Sequence, residues 1–162
     1  MRKFLFLILI GVLWQACGFY SFKGALPSHL KTVAVPLFDD RSAWPGIREK
    51  VTDSILNGFV EDNTLAVTDA GRADIILKGS VQSVQRTEQA IEPGETVAEY
   101  RLTVNIKVRA DDVRMSKKLY DKTFSAYALL SADAGQDEID AAVDEALEII
   151  VEDIVNTTLS GW

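Results

Sequence analysis

The nine residues RLTVNIKVR, Arg101 to Arg109, alternate without a break. Leu102, Val104, Ile106 and Val108 occupy the even positions, and Arg101, Thr103, Asn105, Lys107 and Arg109 the odd ones. Successive side chains of a strand point to opposite faces, so this strand offers one face to a core and the other to a polar medium. A sheet built around it needs an apolar cover on one side only. Two stretches can supply that cover. Ile47, Val51, Ile55 and Phe59 recur at fourfold spacing with Leu56 beside them, which predicts a helix over Ile47–Phe59 that Gly58 weakens near its end. A longer helix is predicted over Gln136–Thr158, where Ile139, Ala142, Val143, Ala146, Leu147, Ile150 and Ile154 form an apolar stripe. Asp137, Glu138, Asp140, Asp144, Glu145, Glu148 and Glu152 lie mostly opposite that stripe, and the segment holds no Lys or Arg.

The remaining segments supply further strands. KTVAVPLF, Lys31 to Phe38, is β-branched and apolar, with Pro36 pushing it to a sheet edge or ending its pairing. DDRSAWPG reads as a turn, TLAVT (Thr64 to Thr68) as a short strand, and DAGRA after it as a turn. The run ADIILKGSVQSVQRTEQ is extended from Ala73, and Gly79 within it signals a bulge or a close backbone approach. EPGE carries Pro93 and Gly94 where a type II turn wants them, ADDVRMSKK is a connection, and LYDKTFSAYALL is another strand. The order is strand, helix, three or four strands, helix. The expected fold is α+β, a two-layer sandwich of a mixed four- to five-stranded sheet with two helices packed on one face.

The start of the chain is of another kind. Arg2 and Lys3 precede FLFLILIGVLW, eleven uncharged residues that would span roughly 16 Å as a helix, about half of a membrane's hydrocarbon core. That matches the apolar region of a secretory signal. Cys17, the only cysteine, follows directly behind Ala16. In bacterial lipoprotein signals a cysteine in this place takes a diacylglycerol on sulfur and becomes the first residue after cleavage. Leu13 stands four places before it, with Trp14 and Gln15 between, so the box is a loose one. The plainer alternative is a small apolar cysteine near an ordinary cleavage site, although a free thiol in an oxidising compartment is a liability. The expected division is a signal peptide over 1–16, a lipidated tether over 17–30 and a single domain over 31–162.

Composition excludes several chemistries. The chain of 162 residues carries a formal charge of -7, which argues against a general nucleic-acid binder. His29 is the only histidine and falls in the tether, so neither a His/Cys metal site nor a Ser-His-Asp arrangement is expected. No glycine-rich phosphate loop appears, and the pairs Asp39–Asp40 and Asp111–Asp112 read as turn formers. No enzyme, metal or cofactor is expected.

Charge distribution is more telling. Between Arg101 and Lys122 stand seven cations, Arg101, Lys107, Arg109, Arg114, Lys117, Lys118 and Lys122, against three acids. Arg101, Lys107 and Arg109 share parity and so one sheet face, opposite the apolar one. That face suits an anionic partner such as a phosphorylated lipid or an acidic protein surface. From the spacing alone the favoured reading is an ordinary solvated strand face, where Lys and Arg discourage edge pairing.

Cys17-Gly18-Phe19-Tyr20-Ser21-Phe22 with Gly24 and then Lys31-Thr32-Val33 resembles the start of the outer-membrane lipopolysaccharide-assembly lipoproteins, the LptE-like family, in its Bacteroidetes/Chlorobi form. KLYDKTFSAYALL is similar to the family's strand before its last helix, and VEDIVNTTLSGW to its closing helix and terminal Trp162. The resemblance implies a two-layer fold of two helices on a mostly four-stranded sheet. It also implies a lipoprotein that plugs the β-barrel translocon inserting lipopolysaccharide into the outer leaflet (an LptD-like partner), assists assembly of that barrel, and contacts lipopolysaccharide itself. Cys17 carries over as the lipidated residue, and the resemblance makes Arg101, Lys107 and Arg109 candidates for anionic-lipid or barrel contact. The alternative is a generic lipid-anchored periplasmic module for another envelope component.

Overall fold

A computed structural model describes residues 26–88 and 99–160. The predicted signal over 1–16, Cys17 with most of the tether, the Pro93–Gly94 turn and Trp162 lie outside the described residues. Eight elements follow in order: β1 (Thr32–Ala34), β2 (Asp39–Asp40), α1 (Ile47–Asp62), β3 (Ala66–Val67), β4 (Ile75–Glu88), β5 (Glu99–Asp112), β6 (Lys117–Ser131) and α2 (Gln136–Ser160).

The strands form one six-stranded sheet in the order β3-β1-β4-β5-β6, with β2 also pairing to β4. β1 runs parallel to β3 and β4, β2 runs parallel to β4, and β4-β5-β6 is antiparallel. The sheet is therefore mixed, as expected, with more strands than the four or five predicted. The addition is β2. Asp39 and Asp40, read from sequence as part of a turn, pair with Ser80 and Val81 of β4. Pro36 lies between β1 and β2, and β1 stops at Ala34, so the proline ends one pairing and a second begins three residues beyond it. Asp111 and Asp112 also differ from expectation: they are the last residues of β5, in register with Lys118 and Lys117. Asp112 still shapes the turn, since its Oδ1 accepts the Met115 amide at 2.9 Å.

Both helices cover the same face, and there the core sits. Leu102, Val104, Ile106, Val108 and Ala110 of β5 are at most 1% exposed. They meet Ile55 and Phe59 of α1 and Val143, Leu147, Ile150 and Ile154 of α2 within one apolar cluster. Burying each of the larger side chains stabilises the fold by roughly 1.5–3 kcal/mol. α1 begins at Gly46, whose φ of 71° suits a residue without a side chain, and ends at Asn63, whose amide bonds to the Phe59 carbonyl at 3.1 Å. Near the end of α2 the Tyr120 hydroxyl pairs with Thr158 at 2.8 Å. Burial pushes the Tyr120 phenol up to about 12, against a smaller opposing pull from Thr158.

Gly79 is a close approach rather than a bulge. A Cβ there would strike the ring of Phe38 and stand 2.7 Å from the Lys107 carbonyl oxygen. The register shift in β4 falls instead between Val81 and Ser83. Gly58 has a comparable role between the helices, where an added Cβ would strike Cγ1 of Val151. Among the described residues no helix is long and apolar enough to cross a membrane.

Candidate functional site

With both helices on one side, the other face of β4-β5-β6 is uncovered by any described element. The ladder register places Arg109 between Lys78 of β4 and Asp121 of β6, Lys107 between Ser80 and Thr123, and Arg101 between Thr87 and Leu129. All three predicted cations thus point to the open face, as parity required. They do not form one cluster. Six residues of strand, about 20 Å, separate Arg101 from Lys107.

The two ends differ chemically. At one end Lys107 Nζ lies 3.5 Å from Asp121, and Arg109 Nε lies 2.8 Å from Asp111. These cations are already opposed by acids on their own face, which moderates the local field. Lys78 joins them with no carboxylate partner among the described residues. At the other end the Arg101 guanidinium stacks 4.2 Å from the centre of the Tyr127 ring, and its Nε has no hydrogen-bond partner among the described residues. Tyr127 and Leu129 are about half exposed. Arg101 is therefore a cation held by an aromatic face beside apolar surface, a combination suited to a phosphate attached to a hydrophobic body. Between the ends the face is lined by small polar side chains, including Ser83, Asn105 and Ser125.

Lys78, Asp111 and Asp121 were missed as members of this face. Lys78 was legible, because Ile75, Leu77 and Val81 set the parity of β4 and Lys78 takes the opposite one. Arg114, counted among the basic residues, is turned away, with its Nε 2.6 Å from Asp74. The helical layer has the opposite sign: α2 contains no Lys or Arg, and Lys50 of α1 pairs with Asp144. The molecule thus presents a cation-bearing sheet face and an acidic helical face.

A second polar cluster closes one end of the sheet. Asp74, 4% exposed, accepts the amides of Lys31 and Thr32 at 2.9 and 3.1 Å, the Thr32 hydroxyl at 3.0 Å and Arg114. The Lys31 amide is the largest influence on its carboxyl and, with Thr32 and Arg114, holds it below the usual aspartate value against the effect of burial. Asp112, 3% exposed, has a His29 ring nitrogen 2.7 Å from Oδ2. Burial works to raise Asp112, but bonds from His29 and the Met115 amide outweigh it and the net shift is downward. His29, read from sequence as part of a tether, is thus held against the domain, and Leu30 beside it is buried.

A carboxyl depressed in the fold contributes stability that is present above its unfolded value, near 3.9 for Asp. That contribution is lost as pH falls through the lower folded values. Thermal unfolding across pH is expected to show no loss from these two groups down to about pH 4, then a decline at more acidic pH. Asp74→Ala, which strands the Lys31 and Thr32 amides, is expected to cost about 3 kcal/mol at neutral pH and to flatten that acid limb. An unchanged acid limb in the variant would remove Asp74 from the account.

The family model for lipopolysaccharide assembly (LptE) matches residues 30–158. The chain belongs to that family. No curated protein matches it. Among solved structures it is similar to a hypothetical protein of Chlamydia trachomatis, at 13% identity and TM-score 0.62, covering 82% of this chain and 99% of that one. An uncharacterized lipoprotein B of Nitrosomonas europaea is similar at 10% identity and TM-score 0.60, covering 89% and 90%. Rare lipoprotein B of Shewanella oneidensis is similar at 16% identity and TM-score 0.55, covering 79% and 95%. At such identities these likenesses speak for the fold alone. For this LptE-family chain they agree with the two-layer architecture read from the alternation of β5.

Proposed function

We propose that this LptE-family chain is an outer-membrane lipoprotein facing the periplasm, anchored through lipid on Cys17 after removal of residues 1–16. Residues 17–30 are its tether, whose last two residues, His29 and Leu30, rest on the domain, and residues 31–162 its assembly domain. It works as a subunit of the lipopolysaccharide translocon, occupying and assisting assembly of a β-barrel partner of the LptD kind. The family match over residues 30–158 carries this reading. The role is one of binding and assembly, with no catalytic group assigned.

The open sheet face is the part of the domain chemically suited to anionic lipid. Arg101, with Tyr127 behind it and no acid in salt-bridge range among the described residues, is its strongest member. Lys107 and Arg109 are the weaker members because Asp121 and Asp111 already face them. Each cation near an anionic surface contributes on the order of 1 kcal/mol. Replacing all three by Gln is therefore expected to weaken lipopolysaccharide binding by about ten- to a hundredfold. Arg101→Gln should account for the larger share. Unchanged lipopolysaccharide binding and unchanged barrel recovery in the triple variant would remove this face from the function.

The wider reading is tested by affinity purification of the tagged lipoprotein from detergent-solubilised outer membrane. A large β-barrel protein recovered in fixed proportion is the expected result. Recovery of some other envelope component without a barrel would support the alternative of a generic anchored binding module.

A further inference from the structure

β6 is the last strand of the sheet, and among the described residues nothing pairs with its outer edge. Natural sheets guard such edges with charge, proline, bulges or a covering element. In β6 the charges Lys117, Lys118, Asp121 and Lys122 all fall within the first six residues. The irregularity in its pairing with β5 also lies at that end, between Ala110 and Asp111. From Thr123 to Ser131 the edge carries nine residues with no charge, no proline and no bulge. Exposed apolar side chains flank this half: Tyr127 and Leu129 on the open face, and Ile149 of α2, 45% exposed, on the other. A groove of about 510 Å³ runs there, lined by Ser125 to Leu129 with Ile149 and Glu145.

The run Thr123 to Ser131, TFSAYALLS, is nearly a palindrome in size and polarity about Tyr127. We infer that this edge pairs with the same edge of a second copy, antiparallel, with Tyr127 on the twofold axis. An isologous contact must be complementary to itself, and this one is. Thr123 opposes Ser131, Phe124 opposes Leu130, and Ala126 opposes Ala128. On the open face Ser125 opposes Leu129, and Tyr127 meets its own mate. Every pair joins residues of the same parity, so the open faces of the two sheets continue into one another and both helical layers stay on the same side. The small side chains Ala126 and Ala128 leave room beneath the new strand pair for the two α2 helices to approach, with Ile149 between them. Glu145, the one charged residue of the groove, meets its mate as a like charge, so added salt strengthens the pairing, opposite to its effect on anion binding.

The test uses the full chain in detergent. Sedimentation from about 1 to 100 µM should show a concentration-dependent dimer, as a contact of one strand pair falls in the weaker class of interfaces. Ser125→Lys places two lysines on the paired edges and should weaken association at least tenfold, with thermal unfolding unchanged. Tyr127→Cys, oxidised mildly, should yield a covalent species of doubled mass. Asn105→Cys, on the same face of the interior strand β5, should not, and native Cys17 is common to both. If Ser125→Lys fails to fold, the Tyr127→Cys result alone decides. A monomer at every concentration, or Tyr127→Cys joining a different protein or another segment of its own chain, overturns the inference.

Discussion

Replacing Gly79 by alanine is expected to remove about 3 kcal/mol of stability, a large share of the roughly 5–15 kcal/mol that holds a typical domain. The added Cβ would strike the ring of Phe38, which is 1% exposed, and would press on the Lys107 carbonyl. A flexible side chain could turn aside. The Lys107 backbone cannot, because it belongs to the β4–β5 ladder. The unfolding midpoint should fall by roughly 10 °C. Gly71→Ala is the matched control, since a Cβ there meets nothing within 4 Å. Equal midpoints for the two variants would show that β4 and Phe38 separate more easily than their packing implies.

Replacing Cys17 by alanine is expected to abolish processing and anchoring together. The native chain, recovered from a Gram-negative envelope, should begin at residue 17 and carry acyl chains on its first residue. The variant should keep residues 1–16 and gain no acyl mass. Each buried CH₂ contributes about 0.8 kcal/mol, so two or three chains hold a protein firmly where one is marginal. Intact mass spectrometry of both forms reads cleavage and acylation in one measurement. An unmodified thiol at Cys17 in the native chain would remove the anchor, although the fold and the family would stand.

Much of this architecture was legible because it is periodic. The alternation of β5 identified the buried and open faces of the sheet, and the α2 stripe identified what covers the buried one. Both patterns extend over several turns or pleats, where burial on one side leaves a repeated mark. β2 left no such mark. Its two residues are held by distant pairing to β4, and two aspartates carry no local strand signal. The hold on His29 was illegible for a related reason: its partner Asp112 lies 83 residues away, and a single long-range polar contact has no period. The open face was read correctly in parity and incompletely in chemistry. Arg101, Lys107 and Arg109 were visible within one strand, whereas Lys78, Asp111 and Asp121 entered only through the register of neighbouring strands.

The clasp of His29 on Asp112 also sets a geometry of suspension. Leu26 packs against the core as well, so a lipid carried on Cys17 could stand no farther from that point than nine peptide links allow, at most about 30 Å. His29 meets the domain at the end of β5, and Arg101 lies about 37 Å up that strand from Asp112. With such an anchor, the Arg101–Tyr127 end could stand no farther than roughly 67 Å from the bilayer surface, which bounds where any anionic lipid it meets would have to be.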